Sequence, residues 1–116
     1  MLNIALRAAR QAGEHIVRAS DRLDIIAVSE KGSNDYVTEV DKAAEDIIIK
    51  LLHKTYPDHG FLAEESGAQN EDADYCWIID PLDGTTNFVR GIPHYAVSIA
   101  CQYQGRLEHA VVYNPV

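Results

Sequence analysis

The stretch of residues 55–89 constrains the fold most strongly, because it holds eight carboxylates and no Lys or Arg. Two short apolar segments in this stretch end at acidic residues, one at Glu64 and Glu65 and the other at Asp80. Carboxylates next to buried strands lose hydration, so they need contact with water or with an external cation. Solvation accounts for the acidic residues of the polar run 69–74, but it accounts less well for those at the strand ends.

Apolar periodicity predicts two helices followed by short strands. A first helix is expected over residues 2–20. A second should run from an N-cap at Thr38 to residue 56, since Pro57 disfavours helical geometry in the residue before it. Asp41 then occupies the capping-box position of that helix. Strands are expected at 23–29, 61–63 and 75–79, and a β-hairpin is expected at 95–103 and 107–113 with its turn at Gly105; residues 31–35 read as a loop.

The size and order of these elements predict an α+β fold with one core. The chain has 116 residues, and two helices packed on a small, mostly antiparallel sheet would leave one face of that sheet open. The final strand leads to the last residues without a closing element. We therefore expect the sequence to be part of a longer chain.

Composition and charge narrow the classes of function. Apolar residues make up 47% and charged residues 24% of the chain, with no apolar run near the ~20 residues that a membrane span needs and no secretory signal pattern, so a cytoplasmic protein is expected. The net charge of -8 argues against direct nucleic-acid binding. Cys76 and Cys101 lack metal-ligand spacing and are interpreted as buried free thiols.

The segment 80–86 combines the residue types of a metal site and of an anion site. Asp80 and Asp83 flank a Pro-Leu step, and Gly84 allows a sharp turn that could direct both carboxylates and the intervening carbonyls to one point. Oxygen ligands of this kind suit Mg²⁺, and a short helix opening at Thr85 would offer N–H groups to a phosphate. The same residues also suit an ordinary structural turn, whereas the EF-hand spacing of a Ca²⁺ loop is not met.

The other candidate residues are less distinctive by themselves. Glu64 and Glu65 could bind a cation or be solvated. Asp41 alone is interpreted as a helix-capping residue, and Lys31 as a solvated lysine. The five histidines show no ligand spacing and are interpreted as surface or packing residues: His15, His53, His59, His94 and His109.

Three segments in register resemble the inositol monophosphatase family. They are residues 35–41 (DYVTEVD), 64–66 (EES) and 77–88 (WIIDPLDGTTNF), and residues 93–100 also fit. The resemblance covers the whole chain and is closest to the SuhB-type bacterial members. It implies the N-terminal half of a layered αβαβα sandwich, with the C-terminal part absent. It also implies Mg²⁺-dependent hydrolysis of a phosphate monoester, with inositol 1-phosphate as the favoured substrate.

The resemblance implies a role for each matching residue. Glu64, Asp80 and the backbone carbonyl of Leu82 would hold one Mg²⁺, and Asp80 and Asp83 would hold a second. Thr85, supported by Asp41, would orient the attacking water, with Glu65 close by. The N–H groups of Gly84 and Thr85 would contact the phosphate, and Lys31 would lie on a loop that closes over the site. Water would attack directly in line, without a covalent intermediate.

One departure and several alternatives follow from the same resemblance. The family has a further metal-binding Asp in its C-terminal half, so weak catalysis is expected if 116 residues are the whole polypeptide. The rival substrates are 3′-phosphoadenosine 5′-phosphate and fructose bisphosphate. An aspartyl-phosphate mechanism with Asp80 as nucleophile is disfavoured, because the two carboxylates are three residues apart rather than two. A non-enzymatic partner of the transcription and ribosome-assembly machinery, and a homodimer in the full-length form, are also implied.

Overall fold

The computed structural model describes residues 1–22, 30–90 and 92–116, with the backbone alone for residues 30–35. Three helices lie within these residues: α1 (Leu2–Ser20), α2 (Glu30–Thr55) and α3 (Thr85–Val89). The same residues contain five strands. Three lie between α2 and α3, namely β1 (Gly60–Ala63), β2 (Gly67–Gln69) and β3 (Tyr75–Asp83), and two come after α3, namely β4 (Ala96–Tyr103) and β5 (Arg106–Tyr113). The strand predicted at 23–29 lies outside the described residues.

Helices α1 and α2 pack against each other and against the same face of the sheet. The buried stripe of α1 is mostly alanine, which lets the helix approach its neighbours closely. At Gly13 the approach is so close that a Cβ atom would lie 2.9 Å from the Tyr113 ring. The interior between helices and sheet is filled by larger side chains, which include the fully buried Trp77 and Ile48.

The start of α2 differs from the prediction. The helix begins at Glu30, so the expected loop at 31–35 and the expected N-cap at Thr38 are both wrong. Tertiary contacts account for the difference. Val37 is buried and extends the apolar stripe by one turn, and the Tyr36 hydroxyl donates a hydrogen bond to the Ala19 carbonyl at the end of α1 (2.9 Å). Such contacts override the weak loop preference of Gly, Ser and Asn.

The five strands of the described residues form one sheet with the order β2-β1-β3-β4-β5, and among these strands only the β1–β3 pair is parallel. The predicted α+β class with helices on a mostly antiparallel sheet is therefore confirmed. On the face away from the helices, paired positions form one apolar row across all five strands: Ala68, Leu62, Ile78, Ala100 and Ala110. Leu62 is 47% exposed, so within the described residues this face is open, as the sequence predicts.

The strand predicted at 75–79 is longer in the structure, where β3 continues to Asp83. Pro81 has no N–H to donate, and the pairing with β4 is irregular between Asp80 and Asp83. The strand therefore passes through the Pro-Leu step as a bulge and turns only at Gly84, where φ is 95°. At the next hairpin, Gln104 and Gly105 both have positive φ, as a two-residue type I′ turn requires.

Candidate metal centre

The parallel pairing of β1 and β3 brings two predicted metal ligands together. Ala63 is paired with Ile79, so the next residue of each strand, Glu64 and Asp80, lies at the same carboxyl-terminal edge. The Glu64 and Asp80 side chains are close enough to share a hydrogen bond. Asp80 Oδ1 is buried and has no hydrogen-bond partner among the described residues.

Helix α2 supplies a third carboxylate to this edge. One ligand atom each from Asp41, Glu64 and Glu65 lies within 4.8 Å of the others. Asp41 lies well inside α2 and is only 5% exposed, so its interpretation as a capping residue is wrong. Its Oδ1 atom is also buried without a hydrogen-bond partner in the described part of the chain. We call Asp41, Glu64, Glu65 and Asp80 the acidic cluster.

Burial and mutual repulsion disfavour the charged states of Asp41 and Glu64. Burial and, after it, the charges of Glu64, Glu65 and Asp80 together raise the pKa of Asp41 from 3.8 to about 7. Burial also raises the pKa of Glu64, and the charges of Asp80 and Glu65 add to the effect. At neutral pH the cluster thus holds carboxylates that lack a compensating positive charge.

Asp80 shows the same electrostatic strain. Burial and then the charge of Asp83 raise its pKa, while a hydrogen bond from the Leu82 backbone opposes the shift. In the described residues the ion pair found is Lys50–Asp46, an exposed contact that lies outside the cluster. No described cation therefore neutralises the four carboxylates.

The junction of β3 and α3 carries most of the remaining predicted residues. Asp83 ends β3 and is exposed, whereas Leu82 is buried. Gly84 precedes α3, and Thr85 is its first residue. Thr85 and Thr38 line one open cleft of about 380 Å³ together with Val37, Thr86, Val89 and Arg90. The backbone of Lys31 belongs to α2, and its side chain lies outside the described part of the protein.

Glu45 is the residue that the sequence interpretation missed. It is 1% exposed, and it accepts hydrogen bonds from the backbone N–H groups of Glu65 (2.9 Å) and Ser66 (2.8 Å). The signal was present in the sequence, since Glu45 falls four residues after Asp41 on the apolar stripe of α2. Two carboxylates on the buried face of an amphipathic helix indicate a site rather than a solvated surface.

The donor set fits a hard divalent cation. It consists of carboxylate oxygens from three separate elements, and no histidine or cysteine belongs to the cluster found in the described residues. Mg²⁺ prefers such oxygen ligands, and soft metals do not. A bound cation would also provide a partner for two buried carboxylate oxygens that accept no hydrogen bond from the described residues, Asp41 Oδ1 and Asp80 Oδ1.

The histidines and cysteines lie apart from the cluster. His59 accepts a hydrogen bond from Trp77 Nε1–H (3.0 Å) and stacks between Tyr56 and Tyr75, as a packing residue does. Both cysteines are free thiols; Cys101 is fully buried, as expected, and Cys76 is half-buried. Neither residue type competes with the carboxylates for a role at the site.

Comparison with known proteins decides the family. The sequence profile described as the inositol monophosphatase family matches residues 1–116. The chain belongs to the inositol monophosphatase family. Among its relatives, "Nus factor SuhB" of Pseudomonas aeruginosa is 64% identical over 119 residues, which cover 100% of this chain and 44% of that protein. The chain thus spans less than half the length of this relative.

Solved structures of the family share the fold. The SuhB protein of Bartonella henselae matches with a TM-score of 0.84 and 47% identity over 97% of this chain and 44% of that one. The structure of SaIMPase-II with bound inositol monophosphate matches with a TM-score of 0.76 and 32% identity over 97% of this chain and 39% of that one. In the present chain, none of the helices in the described residues is long and apolar enough to cross a membrane.

Proposed function

We propose that the protein takes part in Mg²⁺-dependent hydrolysis of a phosphate monoester and that the acidic cluster is its metal centre. The observation that carries the proposal is the convergence of Asp41, Glu64 and Glu65, with Asp80 in contact with Glu64, at one edge of the sheet. Carboxylates that repel one another and lack a cationic partner gain most from a bound cation. Membership of the inositol monophosphatase family supports the phosphatase class.

Each residue of the centre then has a defined task. Glu64, Asp80 and the carbonyl of Leu82 would hold one Mg²⁺, and Asp83 would join Asp80 in holding a second. The bound cations would activate water and neutralise the charge on the leaving alkoxide. Asp83 is exposed at the end of β3, and it would stay accessible to a ligand from solvent.

The chain's own polar groups would orient the reactants. The Thr85 hydroxyl would hold the attacking water, supported by Asp41, and Glu65 would lie beside it. The N–H groups of Gly84 and Thr85 precede the first intrahelical hydrogen bond of α3, which Phe88 donates to Gly84 (3.1 Å), so they have no acceptor within the helix and would contact the phosphate. Lys31 would approach from the start of α2.

Inositol 1-phosphate is the substrate that we favour. The support is the family relative SaIMPase-II, whose structure contains bound inositol monophosphate. Another sugar or nucleotide phosphate, such as fructose bisphosphate or 3′-phosphoadenosine 5′-phosphate, is the alternative within the same chemistry. No residue of the proposed metal centre selects the substrate alcohol. The assay should therefore compare inositol 1-phosphate, fructose bisphosphate and 3′-phosphoadenosine 5′-phosphate.

Phosphate release with and without Mg²⁺ tests this proposal. Two proteins are assayed. One is the 116-residue chain alone, and the other is this chain fused to the C-terminal part of the Pseudomonas relative, which has no counterpart in the chain. We expect the joined protein to release phosphate from inositol 1-phosphate only with Mg²⁺, and the 116-residue chain to be weaker or inactive. Asp83→Asn should remove the activity, whereas Asp46→Asn, an exposed change on α2, should not. Activity that persists in EDTA would refute the metal mechanism, and phosphorylated Asp80 would indicate a covalent one.

A second proposal is association with the transcription and ribosome-assembly machinery. Its support is the 64% identity to a protein named Nus factor SuhB. The test is a pull-down with wild type and Asp83→Asn. Equal capture of RNA polymerase components by both would separate this role from catalysis, and no capture by either would contradict it. A homodimer in the full-length form is proposed from the family resemblance, and light scattering would test it.

A further inference from the structure

We propose that Glu45 is a positioning residue that sets the cation affinity of the acidic cluster by clamping the turn that carries Glu64 and Glu65. Its Oε2 accepts the Glu65 N–H, and its Oε1 accepts both the Ser66 N–H and the Ser66 hydroxyl. These bonds join α2 to a turn 20 residues away in sequence. The inference rests on the proposed function in that the ligand is a divalent cation.

The turn needs such a clamp because of its shape and charge. Glu64, Glu65 and Ser66 form a three-residue loop that links β1 to the short edge strand β2, closed by the pair Ala63–Gly67. Gly67 has φ 74°, the left-handed conformation that loops of this length use. Two adjacent carboxylates on a short exposed loop repel each other, and without an anchor the loop would relax to separate them.

Glu45 is suited to hold the loop and not to bind the cation itself. Both of its oxygens are already engaged, by three donors from two residues. Asp41 lies one helical turn before it, on the same face of α2. A single helix face therefore supplies one carboxylate of the acidic cluster directly and fixes the loop that supplies two others.

The electrostatic effect of Glu45 supports a geometric role. Burial and the charges of Glu64, Glu65 and Asp80 raise the pKa of Asp41, and the charge of Glu45 adds to this unfavourable effect. A buried carboxylate beside four others destabilises the metal-free fold. What Glu45 contributes in return is the set of charge-assisted hydrogen bonds that orders the loop.

The test measures Mg²⁺ affinity by titration calorimetry on the 116-residue chain. Glu45→Gln keeps the size of the side chain, but its amide NH₂ would face one of the loop N–H groups and could not accept its hydrogen bond. Because one charge-assisted hydrogen bond is then lost, we expect Mg²⁺ to bind at least about tenfold more weakly. Ser66→Ala removes one donor without changing charge, and about threefold weaker binding is expected. Asp46→Asn, the exposed neighbour of Glu45, is the matched control and should bind like wild type.

Two further readouts separate positioning from folding and from charge. Thermal melting reports stability, which a purely structural role would lower without changing the affinity of the folded fraction. The amide proton resonances of Glu65 and Ser66 report the clamp, and both should move upfield in Glu45→Gln. If Glu45→Gln does not fold, Ser66→Ala carries the test by itself.

The outcomes distinguish this inference from the proposed function. If wild type binds no Mg²⁺, the proposed function fails. If wild type, Glu45→Gln and Ser66→Ala bind Mg²⁺ equally, the clamp is overturned while the proposed function stands. If Glu45→Gln binds weakly but Ser66→Ala is unchanged and the loop amide resonances do not move, charge alone explains the loss and positioning is refuted.

Discussion

The buried carboxyl of Asp41 makes the stability of the metal-free protein depend on pH. Burial and its acidic neighbours raise its pKa from 3.8 to about 7. Between these values the folded chain holds a proton that the unfolded chain releases, so stability is full below about pH 4 and is lost as the pH rises through 7. A shift of about three pKa units, at about 1.4 kcal/mol each, sets an upper bound of about 4 kcal/mol on the loss.

Asp41→Asn removes this ionisation and keeps the shape of the side chain. In EDTA at pH 8 we expect the variant to exceed wild type in free energy of unfolding by about 1–4 kcal/mol, with the difference vanishing towards pH 4. Urea unfolding followed by Trp77 fluorescence measures it, since Trp77 is the single tryptophan and is fully buried. Added Mg²⁺ should stabilise wild type at pH 8 and should stabilise the variant less.

Asp46→Asn is the control for Asp41→Asn, because Asp46 is exposed and pairs with Lys50. It removes the same formal charge from the same helix but should gain no stability at pH 8. An Asp41→Asn variant no more stable than wild type at pH 8, or equally altered at pH 4 and pH 8, would refute the reasoning.

Three further predictions concern the surrounding fold. Gly84→Ala should cost more stability than Gly105→Ala in thermal melts, by about 1 kcal/mol or more. Both glycines have positive φ, but only at Gly84 would the Cβ meet backbone atoms, at 3.1 Å from the His94 oxygen. Burial lowers the pKa of His59, although the charge of Asp58 opposes the shift, so an NMR titration should give a value below 6.5. The stability that depends on neutral His59 should then be present above pH 6.5 and be lost as the pH falls through the lowered pKa. Trp77→Phe, which removes the donor to His59, should raise that pKa, and an unchanged value would contradict the role of the hydrogen bond. In urea unfolding, Leu62→Ser on the open sheet face should lower the free energy of unfolding by less than about 1 kcal/mol, whereas Ile79→Ala in the core should lower it by about 2–4 kcal/mol. Equal losses would show that the open face is covered in solution.

The sequence predicted the elements whose pattern is local. The apolar periodicity of Val40, Ala44, Ile48 and Leu52 predicted α2, and all four are buried. The alternation after residue 95 predicted the β4–β5 hairpin. The family resemblance predicted a set of site carboxylates, which stays a prediction. The structure explains why two of them meet, since the parallel register of β1 and β3 aligns Glu64 with Asp80.

The parts that the sequence did not predict depend on contacts distant in sequence. The early start of α2 depends on Tyr36 reaching Ala19, 17 residues away. The bulge that carries β3 past Pro81 depends on pairing with β4. The position of Glu45 on the apolar stripe indicates burial, but its hydrogen bonds could not be predicted, because its three donors lie in a loop that only tertiary structure brings to it.

The position of a bound divalent cation tests the metal centre most directly. Crystals of the chain grown with Mn²⁺, which accepts the same oxygen ligands as Mg²⁺, would reveal the ion by its anomalous scattering. We predict an anomalous peak next to the Glu64 and Asp80 carboxylates, and we predict that this peak is lost in Asp80→Asn. A structure with no peak at the acidic cluster, or with a peak that Asp80→Asn leaves unchanged, would contradict it.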